Sequence, residues 1–154
     1  MDEPIYMYTD GASRGNPGPG GYGVVLKCGH HYRELSAGYR LTTNNRMELL
    51  AVIVGLEAIR RKNARVMVYS DSAYVVKAVN EGWIGKWLVK GLHKQKNPDL
   101  WERFLNIYKQ HNVSFFQLKG HSGHPENERC DALAVEAALS ENLSEDEGYN
   151  IVKE

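Results

Sequence analysis

Asp10, Glu48, Asp71 and Asp131 are the residues of this chain whose types and settings best suit chemistry. Asp10 follows the alternating run Ile5-Tyr6-Met7-Tyr8-Thr9 and precedes Gly11, and Asp71 follows Val66-Met67-Val68-Tyr69-Ser70. Both acids therefore fall at the ends of strand-like runs. Glu48 and Asp131 fall in segments with helical patterning. Carboxylates that converge repel one another, and divalent cations are the usual way to neutralise them. Four oxygen donors suit Mg²⁺, with Mn²⁺ as a substitute, better than Zn²⁺, which favours His and Cys. Two such ions can clamp the attacking and leaving oxygens of a phosphodiester displacement.

Each acid also has a plainer reading. Asp10-Gly11 fits a simple turn. Asn45-x-x-Glu48 fits a capping box in which Glu48 reaches back to the Asn45 amide. Asp71-Ser72 fits ordinary helix-start chemistry, and Asp131 fits a solvated helix position. The metal reading gains weight only because the order of elements gathers all four.

The positioning elements follow from periodicity. Residues 5–9, 22–28 and 31–40 alternate as strands, with a tight turn at Gly29-His30 between the last two. A helix is expected from about Asn45 to Lys62, with Leu49, Val52, Ile53, Leu56 and Ile59 facing a sheet. A strand at 65–70, a helix capped by Ser72, a helix opened by Pro98, a strand at 113–118 and a helix opened by Pro125 complete the order. Residues 81–97 read as short, irregular and basic-aromatic. The expected architecture is α/β: a five-stranded mixed sheet, with a three-strand antiparallel meander plus parallel strands, flanked by helices. One domain over residues 1–141 is expected, followed by an acidic, mobile tail over 142–154.

Composition sets the remaining bounds. The chain has 154 residues, 42% hydrophobic and 25% charged, with zero formal net charge. A polyanionic partner would then need a local basic patch. Trp83, Lys86, Trp87 and Lys90 supply one, with Lys94 and Lys96 beyond, and combine cations with aromatic rings. Arg60-Arg61-Lys62 is instead read as a helix C-terminus favoured by the helix dipole. Cys28 and Cys130 lack metal-ligand spacing and read as reduced thiols. No signal pattern or membrane-length apolar run is visible, so a cytoplasmic location is expected. No long apolar stripe argues for an obligate dimer, so a monomer is expected. The glycine-rich stretch from Gly15 to Gly21 is not a Walker A motif, because it lacks the Gly-Lys-Ser/Thr ending and Pro17 and Pro19 remove amide donors. It reads as a shaped turn with Asn16 as a polar contact. Thr43, Asn44 and Asn45 offer uncharged groups to sugar hydroxyls and base edges. His121, in a Gly-flanked loop ahead of the Asp131 helix, suits a proton shuttle.

Taken together, Tyr8-Thr9-Asp10-Gly11, the Gly15–Gly21 loop, Thr42-Thr43-Asn44-Asn45-Arg46-Met47-Glu48-Leu49, Ser70-Asp71-Ser72, Lys119-Gly120-His121 and Asn127 through Asp131 resemble bacterial ribonuclease H of type 1. The resemblance implies a ribonuclease H-like fold and Mg²⁺-dependent endonucleolytic cleavage of the RNA strand in an RNA–DNA hybrid duplex. It implies 5′-phosphate and 3′-hydroxyl products, Asp10, Glu48, Asp71 and Asp131 as metal ligands, His121 in proton transfer, and Asn16, Thr43, Asn44 and Asn45 at the hybrid. Many bacterial members have glutamine where this chain has Ala73, and the basic segment is shorter and less basic here. The first departure bears on a minor-groove base-edge contact; the second predicts weaker substrate binding, seen as a higher KM and a shallower salt dependence. A hybrid-binding module without catalysis is the competing class, separable by titrating Mg²⁺ against a labelled hybrid.

Overall fold

The computed structural model describes residues 3–119 and 124–152. Strands β1 (Ile5–Ser13), β2 (Gly18–Cys28) and β3 (His31–Thr42) form an antiparallel meander, with the turn at Gly29-His30 as expected. Helix α1 (Asn44–Glu57) crosses to β4 (Arg65–Ser70), which lies parallel to β1. Helices α2 (Ala73–Asn80), α3 (Trp83–Lys90) and α4 (Pro98–Tyr108) lead to β5 (Asn112–Gln117), parallel to β4. Helix α5 (Pro125–Leu139) is followed by β6 (Leu143–Ser144) and α6 (Glu147–Val152).

The sheet order is β5-β4-β1-β2-β3-β6, six strands and not five. The sixth is a two-residue strand paired parallel to β3, too short to leave a periodic signal. Alternation assigns the two sheet faces. Ile5, Met7, Val66, Val68 and Phe115 are buried in the main core with α1, while the opposite face of β1 to β3 receives α5. That second packing is close because α5 lies on glycines. A Cβ on Gly23 would stand 2.3 Å from the Cys130 carbonyl oxygen, and one on Gly21 2.6 Å from that of Ala134.

Three expectations need correction. Helix α1 ends at Glu57, not near Lys62, so Arg60, Arg61 and Lys62 lie outside its last turn and the dipole account does not apply. Arg61 instead donates to the Glu3 carbonyl at 2.6 Å, tying this turn to the start of the sheet. Residues 83–90 form a helix rather than an irregular segment, because Ile84 is buried and Trp83 and Trp87 pack against the core on one side. The tail after Glu141 is not a solvated extension in its described part. Asp146 is buried and accepts hydrogen bonds from Thr42 Oγ1 at 2.7 Å and from Arg46 Nε at 2.8 Å. Composition hid this because one acid at the right place outweighs the polarity of its neighbours. Among the described residues, no helix is long and apolar enough to cross a membrane.

Candidate metal centre

Asp10 is not at the end of its strand. β1 runs on to Ser13, and Asp10 is a buried residue within it, 7% exposed. The parallel register pairs Tyr8 with Tyr69, so two residues on Asp10 comes level with Asp71, just past the end of β4. Glu48 reaches the same place from the second turn of α1. It can do so because residue 11 is glycine: a Cβ there would stand 2.5 Å from the Glu48 backbone nitrogen. The Asp-Gly pair is thus the seat of α1 on the sheet, not a turn. Nor does Glu48 cap its own helix. Thr43 is the N-cap, its Oγ1 accepting from the Arg46 amide at 3.2 Å, which leaves the Glu48 carboxylate for other work.

One carboxylate oxygen from each of Asp10, Glu48 and Asp71 lies within 4.8 Å of the others. Asp131, exposed on α5, lines the same cleft of about 320 Å³ together with Asn44, Asn127 and Glu128. Burial, reinforced by Asp71 and Asp131, pushes the Asp10 carboxyl up to about 8. Burial and the charges of Asp10, Asp71 and Asp131 raise Glu48 well above the usual carboxylate range. Glu48 Oε1 is buried and makes no hydrogen bond among the described residues. Acids that are costly to ionise, grouped around an unpartnered oxygen, fit a hard divalent cation, which would supply the missing positive charge. Oxygen-only donors and the absence of thiolate or imidazole from the described cluster fit Mg²⁺ or Mn²⁺ by ligand type.

The other sequence candidates divide into groups. Asn16 joins the site: its Oδ1 accepts from the Asn44 amide at 3.0 Å and so ties the glycine-rich loop to the start of α1. Thr43 is half-buried by its capping role, while Asn44 and Asn45 are exposed in the first turn of α1, with Asn44 lining the cleft. Trp83, Lys86, Trp87 and Lys90 lie on α3 and do not line the acid cleft. Trp87 packs edge-on against Trp101, with centroids 5.2 Å apart, so it serves the core as well as any ligand. Lys86 and Lys90 are exposed one turn apart. His121 lies outside the described residues.

Two residues escaped the sequence reading. Asn127 is buried in the cleft wall, and its Oδ1 has no hydrogen-bond partner among the described residues. Its signal was available, since it sits one helical turn before Asp131 and must share its face. Arg46 left no such signal. It is fully buried next to Thr43 and Asn45, and its guanidinium is held by Asp99 at 2.7 and 3.0 Å and by Asp146 at 2.8 and 3.0 Å.

Known proteins share these features. The RNase H family model matches residues 2–139. The chain is 60% identical over 144 residues to the Ribonuclease H of Desulforamulus reducens, covering 90% of each. It is 53% identical over 150 residues to that of Syntrophus aciditrophicus, covering 94% of this chain and 86% of the relative. Among solved structures, LC9-RNase H1, described as a type 1 RNase H with the type 2 active-site motif, superposes with a TM-score of 0.82 at 30% identity, covering 90% of this chain and 73% of that one. LC11-RNase H1, solved in complex with RNA/DNA hybrid, matches with a TM-score of 0.64 at 32% identity, covering 87% and 96%. A family match over nearly the whole length, with relatives of high identity along most of the chain, means that this chain belongs to the ribonuclease H family, in its type 1 branch.

Proposed function

We propose that this chain is an endonuclease that hydrolyses the RNA strand of RNA–DNA hybrids with Mg²⁺, two ions per site in the presence of substrate, leaving 5′-phosphate and 3′-hydroxyl ends. The observation that carries the proposal is the meeting of Asp10, Glu48 and Asp71 oxygens within 4.8 Å in a ribonuclease H family chain. A hybrid bound to LC11-RNase H1 supports the substrate class.

Asp10, Glu48, Asp71 and Asp131 would hold the ions. When bound, such cations stabilise charge on the attacking and leaving oxygens of the phosphodiester. The chain's residues supply position and proton movement. Asn16, Thr43, Asn44 and Asn45 present donors and acceptors to the hybrid's shallow groove, where 2′-hydroxyls distinguish RNA from DNA and little base sequence is read. Lys86 and Lys90 on α3 would meet backbone phosphate, with Trp83 and Trp87 packing beside them. His121 would carry a proton to or from the reacting oxygens.

Replacing Asp71 by Asn should abolish Mg²⁺-dependent cleavage of a labelled hybrid while gel-shift binding persists. Full activity in that variant would reject the metal assignment. Replacing His121 by Ala should slow turnover by roughly 10²–10⁴-fold, and an unchanged rate would remove it from proton transfer.

A further inference from the structure

The sheet face that carries Asp10 and Asp71 also carries an aromatic ladder that the proposed reaction does not use. Residues two apart on a strand share a face, so Tyr8 lies on the face of Asp10 and Tyr69 on that of Asp71. The parallel registers set Tyr8 beside Tyr69 and Tyr69 beside Phe116. The three rings stack across three strands, with centroids 5.1 and 5.2 Å apart and planes within 16° and 22°.

Cross-strand packing accounts for the inner rings. Tyr8 packs against the cluster of Val25, Cys130 and Leu133 under α5, and Tyr69 has a ring on either side. It does not account for Phe116. β5 is the edge strand, so among the described residues no strand lies beyond Phe116 to finish the stack, and this phenyl ring stays 44% exposed. The row of rings is one pleat, about 7 Å along the strand, from the row of carboxylates. Lys119, exposed two residues past the end of β5, offers a cation near the same edge.

We propose that Phe116, backed by Tyr69 and Tyr8, is a stacking subsite for an unpaired base of the RNA strand, so that the preferred substrates are hybrids that run out into single-stranded RNA. The ladder is continuous with the carboxylate row that, on the hydrolysis reading above, receives the RNA strand, and the inference rests on that reading. Every base has a π-face that an exposed ring can take without reading sequence, and single-stranded RNA presents such faces where a paired helix hides them.

The test compares KM for a blunt RNA–DNA hybrid with KM for the same hybrid extended by a few unpaired nucleotides on its RNA strand or, separately, on its DNA strand. The RNA extension should lower KM by about 5- to 150-fold, the range for one base–aromatic stack. Phe116→Ala should bring the ratio of the two KM values to one, and Phe116→Trp, which keeps a ring, should preserve it. An undiminished ratio in Phe116→Ala, no effect of the RNA extension in the unaltered protein, or an equal response to the DNA extension would overturn the subsite. Failure of the unaltered protein to cleave even the blunt hybrid would instead overturn the hydrolysis reading, and the subsite with it.

Discussion

The Asp10 carboxylate is held where it is least stable as an anion, and that is a cost to folding. Its pKa is raised to about 8 in the folded chain, chiefly by burial, against the ordinary carboxylate value near 4 when unfolded. A raised folded-state pKa contributes stability that is complete below the unfolded value and is lost as pH climbs through the folded one. Without divalent metal, the site should therefore become progressively less stabilising between about pH 4 and 8. Asp10→Asn removes the penalty. In metal-free buffer it should be more stable than the unaltered chain by about 0.5–2 kcal/mol at pH 8, with the advantage shrinking towards pH 4. Thermal melts across pH check this, and an advantage that grows on acidification would contradict it. Mg²⁺ should raise the melting temperature of the unaltered protein and barely affect the variant.

At the scale of elements, Arg46 is the joint between three segments. It sits in the first turn of α1, beside Thr43, Asn44 and Asn45, and faces Asp99 on α4 and Asp146 after β6. Asn97, which opens α4, also accepts from Arg46 Nη1 at 3.1 Å and donates to the Tyr74 hydroxyl on α2. The acids neutralise a guanidinium that is fully out of water. Burial alone would raise the Asp99 carboxyl, but the hydrogen bonds and charge of Arg46 prevail and hold it below its usual range. Removing one partner leaves buried charge uncompensated. Asp146→Ala should cost about 3 kcal/mol, the low end for a buried pair broken from one side, because Asp99 still faces the cation. Truncation after Ser140 should cost at least as much. Chemical denaturation measures both, and a change below about 0.5 kcal/mol, as for an ordinary surface site, would return the segment to the status of a dispensable tail.

On the function proposed above, the whole molecule would separate chemistry from adhesion. The acid cleft lies across α1, β1, β4 and α5, while exposed lysines recur on α3 and beyond it, at 86, 90, 94 and 96. With zero formal net charge, attraction to a hybrid has to be local, and it should weaken with salt in proportion to the phosphates contacted. Lys86→Ala and Lys90→Ala should each raise KM, leave kcat nearly unchanged and lower the log–log salt slope by about one. Steady-state kinetics at several salt concentrations test this. A fall in kcat with an unaltered slope would move these lysines from adhesion to chemistry.

The order of β1 to β5 with α1, α2, α4 and α5, the capping of α2 by Ser72 and the gathering of acids at one cleft were legible in the chain, because alternation, helical period and Gly/Pro punctuation are local properties. Ribonuclease H likeness was legible too, since its motifs, in order, span nearly the whole length. Local signals could not show that Asp10 is buried within a strand, that Glu48 is free because Thr43 already caps its helix, or that Gly11, Gly21 and Gly23 are seats for helices. Nor could they show that Asp146 belongs to Arg46, a hundred residues away, or that Tyr8, Tyr69 and Phe116 share one stack. Those facts arise from strand register and from electrostatic pairing in a medium that excludes water, and both exist only once distant parts of the chain have met.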